Sequence, residues 1–234
     1  MKNLHKIIYI TIASLSLSAL IQANAQIVIS EVDSAGSGTS TYAADWFELT
    51  NTGSSAVNIT GWKMDDSSDL FGSAVPMSLA GNSIAAGQTV VFIETTSATL
   101  ATLTPEFEAA WFGSNVPAGF TIGGYGGSGV GLSTGGDAVN IFDALGNAVT
   151  GVTFGAPTGK ATFDNTAGLS GAISTASVIG TNGAFTSVTG GEIGSPGVDT
   201  AVVPEPSTYA LLFGGFVALL AIQFRRRNGV TGTI

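Results

Sequence analysis

Asp45-Trp46-Phe47-Glu48-Leu49-Thr50-Asn51-Thr52-Gly53 is the stretch that decides the fold. Phe47 and Leu49 alternate with Trp46, Glu48 and Thr50, the period-two pattern of a half-buried strand. Asn51-Thr52-Gly53 supplies the turn that ends it. Upstream, Ile27-Val28-Ile29 opens another strand. Downstream, Val57 and Ile59 alternate again and lead to Gly61-Trp62, and Thr89 to Ile93 is a short β-branched apolar run. Val139 and Ile141, then Asp143-Ala144-Leu145-Gly146-Asn147, then Val149, Val152 and Phe154 predict a hairpin with a five-residue loop. One short helix is expected, with Thr104 as cap, Pro105 at its first position, Glu106 and Glu108 in its first turn, and its end at Gly113. Short strands parted by Gly, Ser and Asn turns predict an all-β sandwich or barrel.

Individual residues then take roles. Trp46, Glu48, Asn51, Gly53, Gly61 and Trp62 read as architectural. Trp62 is a large apolar anchor suited to a sandwich core, and the Glu48 carboxylate is placed to satisfy turn amides rather than to catalyse. Gly124-Tyr125-Gly126-Gly127-Ser128-Gly129 has the glycine spacing of a dinucleotide loop. No helical pattern follows and no basic residue is near, so a flexible glycine loop is expected. Asp65, Asp66 and Asp69 crowd one segment after Trp62 and form the candidate metal site. Oxygen ligands at that density suit calcium, but the Asp-x-Asp-x-Asp-Gly spacing and the bidentate Glu of a calcium loop are missing, so a solvated acidic loop stands against it. No other cofactor is expected.

Composition narrows the chemistry. The sequence has no cysteine, and its one histidine is His5. Residues 26–203 therefore hold no thiol nucleophile, imidazole base or His/Cys metal ligand. They carry two lysines, Lys63 and Lys160, against fifteen acids, a formal charge of −13. No arginine occurs before Arg225. Nucleic-acid affinity rests on cations displacing counterions, so no nucleic-acid partner is expected.

The two ends carry addresses. Lys2 and Lys6 precede the apolar stretch Ile7 to Ile21, and Ala23-Asn24-Ala25 follows. These are the positive, apolar and small-residue parts of a secretory signal peptide over 1–25, with Gln26 as the new N-terminus; a retained N-terminal anchor is the alternative. At the other end Pro204-Glu205-Pro206 closes a linker over 200–206. An uncharged run over 207–224 follows, long enough at ~1.5 Å per residue to cross a bilayer core as a single helix. Arg225-Arg226-Arg227 opens a basic tail over 225–234 that holds this end in the cytoplasm.

The order Pro-Glu-Pro, apolar helix, arginine cluster over about 203–228 resembles the PEP-CTERM sorting signal of Gram-negative bacteria. The resemblance implies recognition by an exosortase in the inner membrane. It also implies transient anchoring there, then delivery to the cell surface or an exopolysaccharide matrix.

Between the addresses, the succession of strands resembles the lamin-tail domain, an immunoglobulin-like β-sandwich. Its marks are Ile27 to Val32, Asp45 to Gly53, Val57 to Met64, Ile84 to Val91, Gly136 to Asp143, and Gly194-Ser195-Pro196-Gly197 as the close. The resemblance covers about 26–199, with Ser97 to Ser133 reading as an insertion. It implies no catalytic residues. Three function classes follow. The first is a non-enzymatic surface or biofilm-matrix protein that binds polysaccharide or other surface proteins. The others are a calcium-dependent adhesin and a hydrolase working through paired carboxylates alone.

Overall fold

A computed structural model describes residues 27–198 apart from Ser97 and Ser128. The chain runs β1 (Ile27–Asp33), a single turn α1 (Gly36–Thr39), β2 (Trp46–Asn51), β3 (Val57–Asn58), β4 (Lys63–Asp65), β5 (Val75–Ser78), β6 (Ser83–Ile84) and β7 (Thr89–Glu94). Helix α2 (Leu100–Phe112) follows, then β8 (Ile122–Tyr125), β9 (Asp137–Phe142), β10 (Ala148–Phe154), β11 (Phe163–Asp164), β12 (Gly171–Ile173), β13 (Phe185–Thr186) and β14 (Ile193–Gly194). All of them fall within one compact unit, Ala25–Val202.

Ten strands form one hydrogen-bonded sheet in the order β11-β1-β2-β7-β8-β5-β4-β9-β10-β12. Strand β5 is the shared edge: Met77 and Ser78 pair with β8, whereas Val75 and Pro76 pair with β4. The sheet folds over at this strand. Ile29, Phe47, Leu49 and Phe92 of one half pack with Met64, Val139, Ile141 and Val152 of the other. Two faces closing on one apolar layer make the predicted immunoglobulin-like sandwich, and Trp62 lies in that layer.

The half-buried strand is corrected. All six residues of β2 are buried. Phe47 and Leu49 face the sandwich core, as the alternation requires, but the opposite face is also covered. Helix α2 lays Leu103, Phe107, Ala110, Trp111 and Phe112 over Trp46, Val91 and Ile93 and builds a second core. The segment that reads as an insertion thus provides both the outer layer and the mid-sheet strand β8.

The helix also begins earlier than expected. Its cap is Thr99, whose Oγ1 accepts from the Thr102 amide at 3.4 Å, and Pro105 lies inside it. Thr104 does not cap: its hydroxyl donates back to the Leu100 carbonyl at 2.8 Å. The predicted end holds, because Gly113 takes φ of 62° there.

The start of the expected glycine loop is corrected too, while Gly126, Gly127 and Gly129 lie outside any strand. Gly124 and Tyr125 belong to β8, parallel to β7. A Cβ on Gly123 would sit 2.6 Å from the Ser78 carbonyl oxygen and 2.7 Å from the Phe92 ring. Close packing between strands, not flexibility, is what selects glycine there. The β9–β10 hairpin has its five-residue loop. Asp143 Oδ1 accepts from the Leu145 and Asn147 amides at 2.8 and 2.9 Å.

Candidate functional site

Among the described residues six acids are buried: Glu31, Asp33, Asp45, Glu48, Asp65 and Glu192. Five of them gather around the ends of β1 and β2. Strands β1 and β2 are antiparallel, and their register sets Glu31 directly opposite Glu48. Like charges so placed repel. Here each carboxylate is occupied by the segment that closes the domain. Glu31 Oε1 accepts from the Ser195 amide at 2.9 Å and from the Thr162 hydroxyl, and its Oε2 accepts from Ser195 Oγ at 3.1 Å. Glu48 Oε2 accepts from the Gly197 amide at 2.6 Å, and its Oε1 accepts from Ser30 Oγ at 2.7 Å. The two glutamates grip Gly194 to Gly197 like jaws. A Cβ on Gly194 would lie 2.6 Å from Glu31 Oε1 and 3.0 Å from the Trp111 ring, so only glycine lets the segment come this close.

Beside the jaws, Asp33 ends β1 and Glu192 leads into β14. Asp33 Oδ1 accepts from the Ala35 amide at 2.9 Å. The Tyr42 hydroxyl accepts from the indole nitrogens of Trp46 and Trp111, both at 3.1 Å, and donates to Glu192 Oε1 at 3.2 Å. Asp45 Oδ1 accepts from the Ser37 amide at 2.8 Å, which fixes the loop between α1 and β2.

Burial disfavours the charged form of Glu31, Asp33, Tyr42, Asp45 and Glu192. It pushes Glu31 up to about 7, with hydrogen bonds from Thr162 and Ser195 pulling the other way. It raises Asp33 and Asp45 to about 6 each and Glu192 to about 8, and it drives the Tyr42 hydroxyl well above its usual value. Lys160 is the cation acting on Glu192, and its own Nζ donates to the Gly190 carbonyl at 2.6 Å.

The sequence matches the Lamin Tail Domain family over residues 21–156, more than half the chain. The protein belongs to the lamin-tail domain family. A second match, to the PEP-CTERM protein-sorting motif, spans 202–227. No curated protein matches the chain. The lamin-tail domain is a structural element and the motif a sorting element. Together they describe an exported protein that an exosortase handles at the membrane. The family match stops before Thr162, Glu192, Ser195 and Gly197, so the jaws grip a segment that lies beyond it.

The architectural residues take up their places in this lamin-tail domain. Asn51 Nδ2 donates to the Ser55 and Ile84 carbonyls at 2.9 and 3.0 Å, and its Oδ1 accepts from the Gly53 amide at 3.0 Å. Gly61 has φ of 77° at the turn before Trp62. Trp46 packs edge-on to Phe107 and Trp111. Glu48 does satisfy a main-chain amide, that of Gly197 in the closing segment.

Asp65, Asp66 and Asp69 follow different courses. Asp65 is fully buried, and its Oδ2 accepts from Ser68 Oγ at 2.5 Å and the Leu70 amide at 2.7 Å. Asp66 Oδ1 accepts from the Ser68 amide at 3.1 Å, and Asp69 is exposed with φ of 51°. Among the described residues no three acidic side chains converge to hold a metal ion. Ala23, Ala25, Gln26, Pro204, Glu205, Pro206, the 207–224 run, Arg225, Arg226 and Arg227 lie outside the described residues. Within them no helix is long and apolar enough to cross a membrane.

Sequence reasoning gave no role to Glu31, Asp33, Asp45, Tyr42 or Glu192. A signal for the first two was present: acids at positions 31 and 33 of a strand otherwise apolar at 27, 28, 29 and 32. Glu192 had none, being paired to Tyr42 across 150 residues. An open depression of about 500 Å³ at the start of α2 is lined by Ser78, Thr95, Thr96, Ala98, Thr99 and Leu100, without a charged side chain.

Proposed function

We propose that the lamin-tail domain is the displayed, non-enzymatic part of a cell-surface or extracellular-matrix protein of a Gram-negative bacterium. It serves there as a binding or structural module for exopolysaccharide or neighbouring surface proteins. The observation that carries this reading is the sorting motif at 202–227, which begins within a few residues of the segment that closes the sandwich. The commitment of the buried carboxylates supports the non-enzymatic part. Glu31, Glu48, Asp33 and Asp45 each accept a main-chain amide of a turn or of the closing segment. A paired-carboxylate hydrolase needs its acids facing a substrate and a water instead.

Two measurements in the native host test the reading. The chain with Pro204 and Pro206 changed to alanine should stay in the inner membrane, while the unaltered chain reaches the surface or matrix fraction. Equal release of both would overturn exosortase handling. The released protein should co-sediment with the host's own exopolysaccharide or with surface protein; release in free form would overturn the matrix role and leave the sorting intact.

A further inference from the structure

Asn58-Ile59-Thr60 is an asparagine followed two places on by threonine, with no proline between, and no other tripeptide of the sequence has the form Asn-x-Ser or Asn-x-Thr. In an exported chain this is the acceptor spelling for an N-linked saccharide. Spelling alone is a weak signal, and the fold adds to it. Asn58 ends the two-residue strand β3, which pairs with β6 through Val57 with Ile84 and Asn58 with Ser83. Ile59 is only 2% exposed and anchors the segment in the sandwich core. Asn58 and Thr60, on either side of it, are both exposed. The one position where the spelling allows nearly any residue is therefore inside, and the two that it fixes are outside.

Local hydrogen bonds present the acceptor atom. The Thr60 amide donates to Asn58 Oδ1 at 2.8 Å, which closes an Asx turn. The Ile59 carbonyl accepts from the Trp62 amide at 3.0 Å, with Gly61 at φ of 77°. The turn uses the side-chain oxygen of Asn58 and leaves its nitrogen, Nδ2, without a partner among the described residues. Asn51 and Asn165 differ: both are buried, and each donates from Nδ2 to two carbonyls. The electrostatics suit an anionic co-substrate. The sequence has no charged residue between Glu48 and Lys63 or between Asp69 and Glu94. Strands β3 and β6 come from these two stretches, so the ladder that carries Asn58 bears no charge of its own in a domain of formal charge −13.

We propose that Asn58 is the acceptor of an N-linked saccharide, added on the exported side of the inner membrane from a donor carried on a polyprenyl phosphate. In that step Nδ2 forms a bond to the anomeric carbon of the sugar. The bond from that carbon to the phosphate oxygen breaks, the lipid phosphate leaves with the electron pair, and the side-chain amide gives up one proton. Nothing is oxidised or reduced. The proposal rests on the export in the reading above and not on the matrix role.

A saccharide fits this place without cost to the fold. It would replace a hydrogen on an exposed nitrogen, while Oδ1 keeps its bond to the Thr60 amide and Ile59 keeps its seat in the core. It would also extend a neutral, hydroxyl-bearing end of the domain, where Ser55, Thr60 and Ser83 are exposed. A bulky, hydrated group there shields the short β3–β6 ladder from pairing with other chains.

The test purifies the full chain from the membrane and matrix fractions of the native host and reads the peptide that holds Asn58 by mass spectrometry. That peptide should be heavier than its sequence by whole sugar residues, with fragmentation placing the addition on Asn58. An unmodified Asn58 in both fractions would overturn the proposal, and this measurement needs no variant. Asn58→Gln and Thr60→Ala should each lose the addition, whereas Thr60→Ser, which keeps the hydroxyl, should retain it. A sugar that persists in Asn58→Gln would lie on another residue and would also overturn the assignment. The chain with Pro204 and Pro206 changed to alanine should carry the sugar as well, because the acceptor needs export alone. Failure of the sorting and failure of the acceptor are thereby told apart.

Discussion

Truncating Phe107 to alanine asks whether α2 is part of the lamin-tail fold or an ornament on it. Phe107 is fully buried. Its ring lies 5.0 Å from Tyr42, 5.8 Å from Trp46, 5.9 Å from Phe120 and 6.0 Å from Trp111, centroid to centroid. It is the hub through which the helix meets β2. Removing a buried phenylalanine costs about 3–5 kcal/mol, the lost transfer energy plus the cavity left behind. In a domain of this size each kcal/mol lowers the melting temperature by about 2–4 °C, so a fall of about 6–20 °C is expected. Because α2 and the sandwich share β2, one transition should be seen, with tryptophan emission and far-UV circular dichroism moving together. Glu106→Ala, on the exposed side of the same helix, should stay within about 0.5 kcal/mol of the parent. A Phe107→Ala loss below about 1 kcal/mol, or an early helical transition that leaves the sandwich intact, would refute the reasoning.

Other consequences are open to the same kind of measurement. Gly123→Ala should destabilise by about 1–3 kcal/mol in urea unfolding, because its Cβ meets the Ser78 carbonyl and the Phe92 ring, and a neutral result would mean that β8 shifts freely. Glu48→Ala strands the Gly197 amide and the Ser30 hydroxyl and should cost about 1–3 kcal/mol; Glu48→Gln, which keeps one acceptor, should cost less. Millimolar calcium should raise the melting temperature no more than sodium chloride of equal ionic strength, since Asp65 is taken up by Ser68 and Leu70; a calcium-specific rise abolished by asparagine at Asp65, Asp66 and Asp69 would show a metal site.

The sandwich was legible because alternation is local. Phe47 and Leu49, Val139 and Ile141, and Val152 and Phe154 all face the core their spacing assigns them. Turn chemistry was legible for the same reason, as Asn51-Gly53 and the Asp143 loop show. The second face of β2 was not. Whether Trp46 is covered depends on a helix more than fifty residues away, and strand alternation cannot report a partner on the other side. The helix start was hidden by its proline: Pro105 has the composition of a first position, yet the Thr99 cap and the apolar residues from Leu103 onward outweigh one missing amide. Glycine in β8 read as a loop because a close approach between strands leaves no mark except the absence of side chains. The jaws were half visible. Glu48 could be read as satisfying amides, but its partner was 149 residues away.

The buried acids also change what the domain's charge means. The formal value of −13 for residues 26–203 counts every carboxyl as ionised. Glu192, held at about 8, keeps most of its proton at pH 7, and Glu31, at about 7, keeps about half. The working charge at pH 7 is then about −11 to −12. That correction is too small to alter the electrostatic argument. Two lysines against so many acids still leave no stripe of cations to displace counterions from a phosphate backbone, so random duplex DNA should not bind at physiological salt. What the correction does alter is where the charge sits. The groups that hold back their ionisation are buried, while Asp69 and Glu106 are exposed on the surface. Acidity on the outside keeps such a domain soluble and repels other polyanions. The buried carboxyls instead act mainly as acceptors, tying turns and the closing segment to the sandwich, and those hydrogen bonds favour the ionised form against the burial that opposes it.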